Sequence, residues 1–147
     1  MKKCLALFSA LIVLAACKGK EETEAPKDEQ QKPKEKLCYA LESKGDTIRL
    51  SLIQNANNVT GELLYSLKEK DRNEGTVSGI FVGDTLYADY TFRSEGTTSV
   101  REIIFVKRGS EIVEGTGPME EKADKQTFIM PRKLSFTGVR LQSTDCN

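Results

Sequence analysis

Beyond residue 36 the chain is punctuated as a β-protein, with short apolar or alternating runs returning about every ten residues, each closed by turn formers. The runs cover 37–41, 47–54, 59–67, 76–82, 85–93, 99–107, 111–114, 127–130 and 134–141. Between them stand Lys44-Gly45-Asp46, Asn55 to Asn58, Asp71 to Gly75, Gly83-Asp84, Glu95-Gly96 and Gly109-Ser110. Successive side chains on a strand point to opposite faces, and the run 85–93 shows this most cleanly. Leu86, Ala88, Tyr90 and Phe92 share one face, while Tyr87, Asp89, Thr91 and Arg93 share the other. In 47–54 the inward set is Ile48, Leu50 and Leu52. This pattern predicts an all-β domain, a small antiparallel up-and-down meander closing into a barrel of about eight strands, with a sandwich as the alternative. One stretch departs from it. Pro118 opens Met119-Glu120-Glu121-Lys122-Ala123-Asp124-Lys125, with acids in the first turn and lysine in the last, which predicts a short helix over 118–126.

The first 36 residues are of another kind. Lys2 and Lys3 precede an apolar run over 5–16, and small residues lead into Cys17, the order of parts in a secretory signal. At ~1.5 Å per residue that run spans only ~18 Å, short of the ~30 Å hydrocarbon core that a transmembrane helix must cross. Leu14-Ala15-Ala16-Cys17 resembles the lipobox of bacterial lipoproteins. The resemblance implies removal of 1–16 as a signal peptide, acylation of Cys17 with palmitate-class chains, and a mature protein held at the outer membrane by its lipid. Residues 18–36 hold six Lys, five Glu, one Asp and two Pro but no large apolar side chain. Such a segment cannot bury enough surface to offset ordering, so 17–36 reads as a lipidated cysteine followed by a disordered tether. Its opening, Lys18-Gly19-Lys20-Glu21-Glu22, resembles the export signal of Bacteroidota surface lipoproteins, so the domain is expected on the cell surface or facing the periplasm. Residues 37–147 form the folded domain, expected to be monomeric and large enough for a modest core.

Cysteine usage fits an exported chain. Cys4 leaves with the signal and Cys17 carries lipid, which leaves Cys38 and Cys146 at the two ends of the folded part. Oxidising surroundings favour a disulfide between them. Redox or metal chemistry by free thiols is the alternative, but the sequence has no Cys-x-x-Cys and no histidine. The bridge requires the domain's two termini to lie side by side, which suits a barrel in which first and last strands pair.

The chain carries 22 basic and 22 acidic residues, with no basic stripe, so nucleic acid is not an expected partner. Without histidine there is no Ser-His-Asp or Cys-His pair and no histidine-based metal centre, so no enzyme activity, cofactor or metal is expected. Two positions stand out. On 99–107, Arg101 shares a face with Ile103 and Phe105, while Glu102 shares the other with Val100, Ile104 and Val106. Whichever face turns inward carries a charge with it unless that charge reaches the rim, and Glu114 on the next run is the natural partner for Arg101. Tyr65, Tyr87 and Tyr90 offer rings with polar tips, and Arg101, Glu114 and Tyr90 are the candidate ligand-binding set.

Asp46-Thr47-Ile48 and Asp84-Thr85-Leu86 match the acceptor pattern of Bacteroidota O-glycosylation, which resembles Asp, then Thr or Ser, then an apolar residue. The alternative is that Gly-Asp-Thr is turn chemistry alone at Thr47 and Thr85. The resulting expectation is a lipid-anchored envelope protein whose β-domain binds a small molecule or a protein partner without catalysis. Two further readings follow from outline alone. Small disulfide-closed barrels resemble lysozyme-inhibitor lipoproteins, which implies an inhibitor acting on lysozyme or a protease, although Val77-Ser78-Gly79-Ile80-Phe81 lacks the tyrosine of their Ser-Gly-x-x-Tyr loop. An eight-stranded barrel also resembles a lipocalin, which implies a carrier of a small apolar ligand.

Overall fold

The computed structural model describes residues 34–70 and 72–146. Its strands are β1 (Glu35–Ser43), β2 (Asp46–Asn55), β3 (Asn58–Ser66), β4 (Asn73–Val82) and β5 (Thr85–Ser94), then β6 (Thr97–Arg108), β7 (Glu111–Glu114), β8 (Met119–Lys122), β9 (Lys125–Phe128) and β10 (Arg140–Ser143). The order β1-β2-β3-β4-β5-β6-β7-β10 closes back onto β1, with every neighbouring pair antiparallel, giving an eight-stranded up-and-down barrel. First and last strands pair, through Tyr39↔Ser143 and Ala40↔Gln142. Beside that seam Cys38 and Cys146 are joined by a disulfide, their Cα atoms 5.3 Å apart.

The alternation read from the sequence decides what fills the barrel. Ile48, Leu50 and Leu52 of β2 meet Leu63 of β3, Leu86 and Ala88 of β5, Ile103 and Phe105 of β6, Ile112 of β7 and Leu141 of β10 in one buried cluster. These side chains pack the barrel from within, as small eight-stranded barrels allow. The turns at 56–57, 83–84 and 109–110 lie at the same end as the described termini. There Lys107 stands over the Phe81 ring, 4.2 Å from its centroid. The opposite end carries the turns at 44–45 and 95–96, the loop after β3 and the departure of the chain from β7. This end is the mouth.

The segment between β7 and β10 differs from its expectation. No helix forms at 118–126, and none occurs among the described residues. β8 and β9 instead make a hairpin, from Met119↔Phe128 to Lys122↔Lys125. Its two turn residues, Ala123 and Asp124, take φ of 48° and 61°, the paired left-handed geometry of a tight hairpin turn. Seven residues with helix-compatible charges gain too few hydrogen bonds to repay helix nucleation, whereas pairing satisfies the backbone at once. β9 then lies parallel to β6 at Val100↔Lys125 and Arg101↔Gln126, on the part of the β6 edge that β7 leaves open. The expected strand at 127–130 therefore starts earlier, at Lys125. The one expected at 134–141 is regular only from Arg140, since 129–139 is a strap across the outside of the barrel. At the other terminus β1 begins at Glu35, so Glu35 and Lys36 belong to the barrel rather than to the tether.

That strap resolves the Arg101–Glu102 conflict. Arg101 follows Ile103 and Phe105 inward, but at the mouth, where its side chain keeps a third of its exposure. Glu102 points outward under the strap, accepting a hydrogen bond from the Phe128 backbone N–H at 2.9 Å and pairing with Arg132. Arg132 also lies over the outward Tyr87 ring. Ile104 and Val113, which face outward on β6 and β7, are also buried.

Candidate functional site

Five strands bring polar side chains together at the mouth. Tyr65 stands near the end of β3, Asn73 at the start of β4, Ser94 at the end of β5, Arg101 on β6 and Glu114 at the end of β7. With Thr116 they line a cavity of about 680 Å³ that opens to solvent. Lys70 and Glu69, from the loop after β3, stand at its edge.

The floor is a hydrogen-bonded cluster. The Tyr65 hydroxyl donates to Glu114 Oε1 at 2.9 Å, and Arg101 Nη2 approaches the same oxygen at 3.8 Å. The Arg101 guanidinium also lies 5.7 Å from the centroid of the Tyr65 ring, a cation–π contact. Tyr90 packs beneath, tilted against Tyr65 with centroids 6.0 Å apart and stacked on Phe92 at 4.8 Å. Two buried polar atoms here have no hydrogen-bond partner, Asn73 Oδ1 and the Tyr90 hydroxyl. A buried polar atom left unpaired costs ~1–3 kcal/mol, so natural proteins keep few of them.

Burial governs the protonation of the cluster. The Glu114 carboxyl is pushed above the usual carboxylate value by burial, against the opposing pull of the Tyr65 hydrogen bond and the Arg101 charge. Tyr65 is held well above an ordinary phenol by burial and by the Glu114 charge, with Arg101 partly offsetting both. Tyr90 is raised to about 12 by burial, again reduced by Arg101 and added to by Glu74. A carboxyl whose folded value lies above its unfolded one gives stability that is fully present below the unfolded value and lost as pH rises through the folded one. Glu114→Gln keeps an oxygen for the Tyr65 hydroxyl but does not titrate. Wild type is therefore expected to gain stability on this variant as pH falls from neutrality toward the ordinary glutamate value, read from denaturant midpoints. A constant difference across that range would contradict the placement of a penalised charge at Glu114.

The structure brings Arg101 and Glu114 together with Tyr65, as their neighbouring runs implied. Tyr90 lies behind them, 1% exposed, and supports the cluster without lining the cavity. Asn73 and Thr116 escape a reading of the sequence, because nothing in Asp71-Arg72-Asn73-Glu74-Gly75 beyond a turn signal marks Asn73. Thr47 and Thr85 sit at opposite ends of the barrel, both half-buried at strand starts. Each neighbouring Asp also ties down a backbone N–H. Asp46 Oδ1 accepts from that of Lys68, and the Asp84 carbonyl accepts from that of Lys107. Cys17 and the Lys18-to-Glu22 motif lie outside the described residues. Comparison with protein-family models, with curated proteins and with solved structures finds no match for this chain.

Proposed function

We propose that the protein is a lipid-anchored envelope lipoprotein whose barrel mouth is a non-enzymatic binding site. One observation carries the binding half of this reading. The barrel interior is filled by its own side chains, while the mouth holds an open cavity floored by Arg101, Glu114 and Tyr65 and edged by Asn73, whose buried Oδ1 has no hydrogen-bond partner. Sites of this kind are concave, with a few convergent polar groups, and run from ~300 to ~1,000 Å³. A deep apolar carrier cavity fits less well, since Leu50, Leu52, Leu63 and Leu86 occupy that space at 0% exposure.

The anchor half rests on Leu14-Ala15-Ala16-Cys17, whose lipid would hold the protein at the outer membrane, facing the cell surface or the periplasm. Cys17→Ser is expected to abolish palmitate labelling and move the protein from the membrane to the soluble fraction. Unchanged fractionation would contradict the lipid anchor. For the mouth, a small molecule that raises the melting temperature of the full-length protein saturably is expected to lose that effect in Ser94→Trp, which fills the cavity. Equal stabilisation of wild type and Ser94→Trp would place binding elsewhere.

A further inference from the structure

The charges of the mouth are laid out as a complementary pair with unused bonding capacity on both sides. Arg101 touches Glu114 only as a 3.8 Å ion contact and donates no hydrogen bond to a side chain among the described residues. Its plane is steadied by the Tyr65 ring, so the guanidinium fork is oriented before any ligand arrives. Glu114 spends one oxygen, Oε1, on both Tyr65 and Arg101, and its Oε2 has no side-chain partner among the described residues. Asn73 Oδ1, on the same wall as Tyr65 through the Tyr65↔Asn73 pairing, is a second acceptor without a donor.

A ligand matching this set presents one anionic acceptor to Arg101 and two or three N–H donors to Glu114 and Asn73. A plain carboxylate or phosphate meets Arg101 but leaves Asn73 unpaired and is repelled by Glu114. A plain amine meets Glu114 and is repelled by Arg101. Resting on the reading of the mouth as a binding site, we propose that it binds a free α-amino acid as its zwitterion. The α-carboxylate lies on the Arg101 fork and the α-ammonium donates to Glu114 Oε2, and the buried, unpaired Asn73 Oδ1 takes a further ammonium N–H once its side chain turns toward the cavity. Such a ligand is neutral overall, so it leaves the balance of the mouth unchanged while separating two charges that now face each other across 3.8 Å. Charge-assisted bonds of this kind are the strong ones, and a carboxylate suits the planar fork of arginine. The cavity of about 680 Å³ leaves room for a side chain beyond the α-carbon.

The test is calorimetric titration of the full-length protein, in detergent, with each of the common free L-amino acids. The N-acetyl and the α-amide derivatives of every binder are titrated beside it. The expected result is saturable binding of at least one amino acid, weakened tenfold or more by acetylation, which removes the ammonium, and likewise by amidation, which removes the carboxylate. Arg101→Gln is expected to lose at least tenfold in affinity. Asn73→Ala is the variant that separates binding from folding. Its amide oxygen has no partner to lose, so thermal stability stays within a few degrees while affinity falls. Retained affinity in either variant, or acetylated and amidated forms that bind as tightly as the parent amino acid, would overturn the assignment. If no amino acid binds but another small molecule does and Ser94→Trp abolishes its binding, the zwitterion assignment fails and the mouth remains the site. If no ligand of any class depends on the mouth, both readings fall together.

Discussion

Gly79→Ala is expected to cost about 3 kcal/mol or more, a large part of the stability of a domain this size. The reason is the approach of β5 behind β4. Gly79 faces inward in register with Ala88, and a Cβ there would lie 2.1 Å from the Tyr87 carbonyl oxygen and 2.5 Å from Ala88 Cβ. Gly75, earlier on the same face of the strand, has the Thr91 carbonyl 2.0 Å from the same hypothetical position. Both obstacles are fixed by the strand itself, so neither can yield as a flexible side chain would. Small barrels close by coiling their strands sharply, and an inward glycine is the usual device for such a corner. Gly96→Ala is the control. Its φ of 83° is unfavourable for alanine, yet nothing lies within 4 Å, so only about 1 kcal/mol is expected. Guanidinium unfolding of the three proteins checks this, and similar midpoints for Gly79→Ala and Gly96→Ala would show that close packing of β4 on β5 is not what the glycine serves.

Loss of the Cys38–Cys146 bridge is expected to be comparable in size. The bridge spans 108 residues, and the chain-entropy account assigns a loop of that order about 4.7 kcal/mol. Its position makes the loss specific. β1 and β10 pair through only two residues, and β10 and β7 are four residues each, so this is the thinnest part of the barrel wall. Cys38→Ala/Cys146→Ala is expected to lower the denaturant midpoint strongly and to raise hydrogen exchange first at the amides of β10. An unchanged midpoint would mean that Leu141 packing and the β10–β7 ladder hold the seam unaided.

How far the sequence carries this fold depends on the length of each signal. The strands from β1 to β7 are legible because alternation runs through whole elements such as Leu86-x-Ala88-x-Tyr90-x-Phe92, and Gly-Asp or Glu-Gly pairs close them. The pairing of the two ends follows from two cysteines placed at the limits of the folded part. Residues 118–126 mislead because acids before lysine satisfy a helix and a charged hairpin equally, and only docking on the β6 edge decides between them. The strap is not legible either, since the Thr116–Ser135 bridge and the Arg132–Glu102 pair that seat it are tertiary contacts with no local period. Of the mouth, Arg101 is visible as a charge on an inward face, and Glu114 as its neighbour. Asn73 is not, because its significance lies in where β4 starts relative to Tyr65, not in the residues beside it.

The mouth of this self-filled barrel is the proposed binding surface. Protein-observed NMR of the full-length chain against a library of small polar fragments tests it most directly. The perturbed amides are expected to gather around Tyr65, Asn73, Arg101, Glu114 and Thr116, with those of Leu50, Leu63 and Ile112 unmoved. Perturbations confined to the outer groove of about 580 Å³ around Ser51, Ile53 and Thr60, or spread through the barrel interior, would contradict it.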